Sequence, residues 1–237
     1  LYLASAYYSN RTQVRNSTFG NVTLVETATK RSDLSTEESD LKFNLVAQRK
    51  LREYNYTTGV FGNLVQTNSI ADALIDIYTA HYGYNGNYTN IDLASLAALN
   101  TTWTSRGDTF NGVFDQPVNV WEALSRVARA GRSRPVLMGS KLTFVRDAST
   151  TSISAMFTPA NIVKNTFNKT YTYQDEKTIK YMNVKYNDAA FDFKEKELTF
   201  NENSQQSKQV FLYGVTNYEQ AKREFLYLNA LKKHRTQ

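Results

Sequence analysis

The stretch that most constrains this chain is residues 114–147, where a helix with both ends marked runs into a tight β-hairpin. Pro117 suits a first helical turn because its missing N–H would have had no intrahelical partner, so the sequence predicts a helix from about Pro117. Val120, Trp121, Leu124, Val127 and Ala128 then recur at helical spacing and define a face for burial. Arg126, Arg129 and Arg132 suit the negative end of the helix dipole, and Gly131 is able to take the left-handed conformation that stops a helix. Beyond it, Pro135-Val136-Leu137-Met138 and Lys141-Leu142-Thr143-Phe144-Val145 flank Gly139-Ser140, a two-residue loop of the kind that closes hairpins.

A helix feeding a hairpin needs other elements to cover both, and 237 residues with 41% hydrophobic content can supply a core for one large domain or two smaller ones. Ser69-Ile70-Ala71-Asp72 is a capping pattern, and Ile70, Leu74, Ile77 and Tyr78 continue as a helix to about Ala80. Asn90-Ile91-Asp92 opens another, burying Leu93, Leu96, Ala97 and Leu99 and ending in Asn100-Thr101-Thr102, with Trp103 in the polar loop that follows. Thr216-Asn217-Tyr218-Glu219 reads as a capping box, with Thr216 as the cap and Tyr218, Ala221, Phe225 and Leu228 as the buried stripe of a last helix.

The rest reads as strand. Val14, Phe19, Val22, Leu24 and Val25, then Leu41, Phe43, Leu45 and Val46, predict short strands on either side of a polar loop over residues 30–40. Residues 51–66 show no clear period and read as a connection. Further strands are expected at residues 153–157, Ile162-Val163, 170–173, 181–186, 197–200 and 209–215. The class is α+β, in three regions: a strand-rich segment over 1–58, a helical region with the hairpin over 59–150, and strands ending in a C-terminal helix over 151–237, packing with the preceding regions.

Chemistry is sparse. No cysteine is present, so disulfides and thiolate metal sites are excluded. Glu37, Glu38 and Asp40 lack the alternation and central glycine of a calcium loop. Asp72 and Asp76 sit one turn apart, but the helix dipole accounts for Asp72. His81 has no second ligand nearby in the sequence. Nucleophile elbows, zinc-protease motifs, phosphate loops and dinucleotide fingerprints are missing, so neither a catalytic residue nor a cofactor or metal site is expected.

The net charge of +6 and pI of about 9.3 raise nucleic acid as a partner. The excess is diffuse: eight cations against six acids in residues 1–58, seven against seven in 59–158, and thirteen against nine in 159–237. Nucleic-acid binding is therefore not expected. No run approaches the roughly 18 apolar residues of a membrane span, so the composition predicts a soluble chain. The absence of an initial Met and the polar tail suggest a piece of a longer protein. Seven Asn-x-Thr triplets stand against about four expected from composition alone, a slight excess. Residues 82–88, rich in Tyr, Gly and Asn, form a loop whose flat rings suit stacking on sugar or bases.

Taken in order, several short motifs resemble the hub region of the host-specificity (central tail-tip) protein family of lambda-type phages. They are Asn68-Ser69-Ile70-Ala71-Asp72-Ala73-Leu74 with Tyr82-Gly83, the helix over 114–129, and Gly139-Ser140-Lys141-Leu142-Thr143-Phe144-Val145-Arg146-Asp147. Asn161-Ile162-Val163, Val184-Lys185-Tyr186 with Asp188, and Tyr213-Gly214-Val215-Thr216 with Gln220-Ala221 and Arg223 complete them. The match runs over about residues 55–237, whereas the first 55 share only a strand-rich character. The resemblance implies small antiparallel β-rich, barrel-like domains with an inserted helix and β-hairpin region, residues 1–58 belonging to such a hub domain. It also implies a structural role at the virion tail tip, synthesis in the bacterial host cytoplasm, and self-association as a trimer in the full-length protein. Other tail-tip and tail-tube proteins would be its partners, and the family has no catalytic residues to carry over. A carbohydrate- or receptor-binding module is the alternative, carried by residues 82–88 and Trp103. A tail-tip polysaccharide-cleaving enzyme would need two carboxylates flanking one cleft.

Overall fold

The central helix and hairpin form as the sequence dictates, but with different ends. The computed structural model describes residues 48–149, 153, 155–170, 181–200 and 207–234. Its first two strands are β1 (Lys50–Asn55) and β2 (Val60–Gln66), followed by helices α1 (Ile70–Thr79), α2 (Leu93–Arg106) and α3 (Val120–Ala130). The hairpin strands are β3 (Ser133–Met138) and β4 (Lys141–Arg146), and after them come β5 (Tyr181–Asp188), β6 (Lys194–Leu198), β7 (Ser207–Phe211) and α4 (Tyr218–His234). The strands expected before residue 48, the loop over 30–40 and residues 171–173 lie outside the described residues.

Helix α3 begins at Val120, not Pro117, because Asn119 supplies the cap: its side-chain oxygen accepts from the Glu122 amide at 2.7 Å. Leu124, Val127 and Ala128 are buried as the stripe requires, whereas Trp121 points outward and is exposed. At the other end Gly131 stays at φ −99, and it is Arg132 that turns left-handed at φ 56. The hairpin follows in the expected register, with Met138 opposite Lys141 and Gly139 at φ 61 in the first loop position, the place a primed turn reserves for glycine.

Helix α1 is capped by Ser69, whose hydroxyl accepts from the Asp72 amide. Helix α2 departs from expectation. It is capped by Asp92 but continues four residues past Thr102, to Arg106, and stops at Gly107 with φ 66. Thr101 and Thr102 lie within the helix, their hydroxyls donating to the carbonyls of Ala97 and Ala98 one turn earlier instead of competing for the amides. Trp103 therefore lies in the helix and is fully buried, not in a polar loop. Residues 51–66, expected to be a connection, are the antiparallel pair β1–β2, whose register slips between Arg52 and Tyr54.

Among the described residues three small sheets result: β1–β2, β3–β4, and a three-stranded sheet in the order β6-β5-β7, with β5–β6 antiparallel and β5–β7 parallel. The architecture is α+β. Among the described residues none of these sheets closes, so the barrel-like arrangement implied by the resemblance is not found there. Residues 155–170 contain turns but no strand, contrary to the strands expected at 153–157 and 162–163.

Among the described residues of the unit Gln48–Gln237, one hydrophobic core joins Ile70, Leu74, Leu96, Trp103, Leu124, Val127, Phe144, Val184, Tyr186 and Phe225. Polar side chains stitch its parts together. The buried Gln220 amide accepts from the Thr109 N–H at 3.2 Å and donates to the carbonyls of Thr109 and Ala130 at 3.0 and 2.8 Å. Asn229 pairs with the β5 backbone, accepting from the Met182 N–H and donating to its carbonyl, so α4 is fixed along that strand. The cap of α4 is Asn217, whose side-chain oxygen accepts from the Glu219 and Gln220 amides. Thr216, expected as the cap, is buried and accepts a bond from the Asn111 side chain at 2.9 Å.

Candidate assembly surface

Exposed apolar residues lie on α3, α4 and the three-stranded sheet, and one run of them stands on elements with little structure of their own. Ile153, Met156, Phe157, Val163 and Phe167 all lie on or beside the strandless stretch 155–170, and Ile153 and Phe157 are 90% and 81% exposed. Their composition is that of a strand, but a strand needs a partner to satisfy its backbone, and none is paired with them here. On the two-stranded sheets, Val60, Leu64 and Val65 of β2 and Leu137 and Met138 of β3 also face solvent. Two-stranded ribbons are marginal on their own; the outer edge of β4 is already engaged, since the Asp92 N–H donates to the Leu142 carbonyl at 2.9 Å and Ile91 bridges Leu142.

The residues singled out in the sequence are not brought into one place. Asp72 is buried, accepts the Thr67 hydroxyl at 2.9 Å, and has its pKa raised, chiefly by burial. Asp76 instead accepts the Tyr82 hydroxyl and lies 4.0 Å from Arg49, so the two aspartates have separate partners and form no acid pair. Burial and the Asp76 bond push the Tyr82 phenol well above its ordinary pKa. The His81 ring is exposed beside Tyr82, and among the described residues no group of three His, Cys, Asp or Glu side chains is placed to hold a metal. In the loop over 82–88 the rings of Tyr82 and Tyr84 are about half exposed or more, while Trp103, the other aromatic considered for sugar, is in the core.

Where α2, the β3–β4 hairpin and α4 meet, charges are gathered from distant parts of the sequence. Asp108 accepts from Arg106 Nε at 2.9 Å and from Arg223 at 2.7 Å, and Arg223 also donates to the Arg106 carbonyl. Arg132 donates to Glu224 at 2.8 Å and lies 3.8 Å over the Tyr227 ring, whose hydroxyl donates to Asp147. Burial raises the Glu224 pKa against the opposing pull of Arg132, and burial together with the Asp147 bond pushes the Tyr227 phenol up to about 12. This network is not visible in the sequence, because apart from Arg106 with Asp108 its partners are 80 to 117 positions apart. An open groove between Asp147 and the α4 residues Tyr227, Ala230, Leu231 and His234 borders it.

Asp188, within one of the motifs carrying the resemblance, accepts from Lys196 at 3.0 Å and from the Tyr186 hydroxyl at 3.2 Å. The Lys196 bond holds its carboxyl below the ordinary range, and the role is to lock β5 to β6. Among the described residues no helix is long and apolar enough to cross a membrane. No protein-family model matches the chain, and no curated protein matches it.

Proposed function

We propose that this chain is a structural hub segment of a phage or prophage tail tip, one that assembles at the end of the tail tube and links it to receptor-binding parts. The carrying observation is the row of exposed apolar side chains on residues 153–167, which no strand or helix of the described chain covers. Such a patch is costly to leave in water and marks a surface used by another protein. The exposed apolar side chains of β2 and β3 favour the same reading, as does the motif order over about residues 55–237. In this reading the segment is made in the host cytoplasm, acts in the virion tail tip without catalysing a reaction, and packs as a trimer in the full-length protein beside other tail-tip and tail-tube proteins. Binding of nucleic acid has no part in it.

The test is made on the full-length protein. Light scattering should give trimers, and Phe157→Asp with Phe167→Asp should prevent tail assembly while leaving the melting temperature unchanged. A monomeric full-length protein with hydrolytic activity would sink the proposal. A second reading, a carbohydrate- or receptor-binding module, is favoured by the exposed rings of Tyr82 and Tyr84. Glycan-array binding that disappears in Tyr84→Ala would support it, and an array without signal would remove it.

A further inference from the structure

We propose that the junction of α2, the β3–β4 hairpin and α4 is an oxyanion-binding site, with the Arg146 guanidinium as its principal ligand and Arg106 and Arg132 as supporting charges. The proposal is independent of the assembly reading. Four guanidiniums meet here, on Arg106, Arg132, Arg146 and Arg223, and three carboxylates accompany them. Each carboxylate is engaged: Asp108 by Arg106 and Arg223, Glu224 by Arg132, and Asp147 by the Tyr227 hydroxyl. Arg146 is left over. Among the described residues no carboxylate forms an ion pair with it, and its Nε is buried without a hydrogen-bond partner.

A half-buried guanidinium in that position is doubly disfavoured. Its Nε has given up water without gaining an acceptor, and the group cannot relieve that cost by losing its proton, since arginine stays charged in proteins. Burial depresses its pKa, repulsion from Arg106 and Arg132 adds to the effect, and the attraction of Asp108 and Glu224 offsets it only in part. An oxyanion relieves both penalties at once: its oxygens match the planar fork, and its charge offsets the surplus cation. A cation or a neutral sugar would relieve neither. The Arg106 and Arg223 side chains remain 30% and 31% exposed, so the cluster opens to solvent. The backbone fixes the position, since Arg146 lies opposite Ser133 in the hairpin and the Asp147 N–H donates to the Arg132 carbonyl at 3.0 Å.

The experiment is thermal melting in inorganic phosphate and, separately, acetate, at constant ionic strength balanced with chloride. At a concentration about five times the apparent Kd, the melting temperature should rise by about 2–4 °C over chloride alone. Arg146→Met should lose that rise, whereas Arg134→Met, removing an exposed arginine of β3, should keep it. No rise in either anion, or an equal rise in Arg146→Met, overturns the proposal. Should Arg146→Met fail to melt cooperatively, Arg146→Lys carries the test. An ammonium has no planar fork, so affinity should fall roughly tenfold with the fold retained, and undiminished affinity would refute the site. Equal responses to acetate and phosphate identify a carboxylate such as a partner's acidic side chain, and a response to phosphate alone identifies a phosphate group.

Discussion

The indole Nε1 of Trp103 donates to the carbonyl oxygen of Gly131 across 2.9 Å, tying the last turn of α2 to the end of α3. The two residues also define each other by shape. A Cβ built on Gly131 would lie 2.2 Å from Trp103 Nε1, so glycine is needed there for close approach and not for its backbone angle. Gly131→Ala should destabilise the chain by about 1–3 kcal/mol, the usual cost of overpacking a dense site. Trp103→Phe should cost a similar amount, because the Gly131 carbonyl keeps only the Ser133 hydroxyl of its two buried donors and the smaller ring leaves a gap in the core. Urea denaturation of both variants checks this; a Gly131→Ala protein as stable as wild type would mean that the helices can separate freely.

Helix α4 gives a test with two outcomes from adjacent residues. Asn217→Ala should cost about 1 kcal/mol by removing the acceptor for the Glu219 and Gln220 amides. Thr216→Ala should cost a comparable amount for a different reason, the loss of its bond with Asn111. Amide hydrogen exchange separates them. Protection at Glu219 and Gln220 should fall in Asn217→Ala and hold in Thr216→Ala.

What the sequence made legible was what is decided locally. Ser69 before Ile70, and Gly139-Ser140 between two apolar runs, act within a few residues, and both appear as expected. Trp103 was misplaced because Asn100-Thr101-Thr102 looks like an ending, although the threonines bond back to carbonyls one turn earlier. Gly107 was the available signal for the true end of the helix. The bulge between Arg52 and Tyr54 hid the period of β1, and the exposed apolar stretch around Phe157 has strand composition without a strand partner. Pairings such as Asp108 with Arg223, or β5 with β7, depend on chain crossings that no local pattern encodes.

Asp72 makes stability depend on pH in a definite direction. Burial raises its pKa above the ordinary 3.8, so between that value and the raised one the folded chain holds more protons than the unfolded chain. The contribution is therefore fully present below pH 3.8 and is lost as pH rises through the folded value. Asp72→Asn has no such titration. Paired urea titrations from pH 3.5 to 7 should show wild type losing ground to Asp72→Asn as pH increases; a constant difference would mean that the carboxyl is not desolvated.

The last prediction concerns Asp108, whose position is set by its own backbone: its N–H donates to the Trp103 carbonyl at 2.9 Å just beyond the Gly107 cap. The carboxylate is thereby held between Arg106 and Arg223, with its own side chain only 6% exposed. Asp108→Asn preserves the shape and removes the charge. It leaves four guanidiniums facing two carboxylates, so the loss should be about 1–3 kcal/mol, a range kept modest because both partner arginines are partly solvated. Repulsion among the remaining cations is screened by salt, with a Debye length of about 3 Å at 1 M, so the deficit should shrink between low salt and about 1 M. Arg223→Met should also cost less in the Asp108→Asn background than in wild type, because the two residues act through one contact. Urea titrations of the four proteins at both salt concentrations measure the coupling; strictly additive costs and a deficit indifferent to salt would show that Asp108 serves by shape alone.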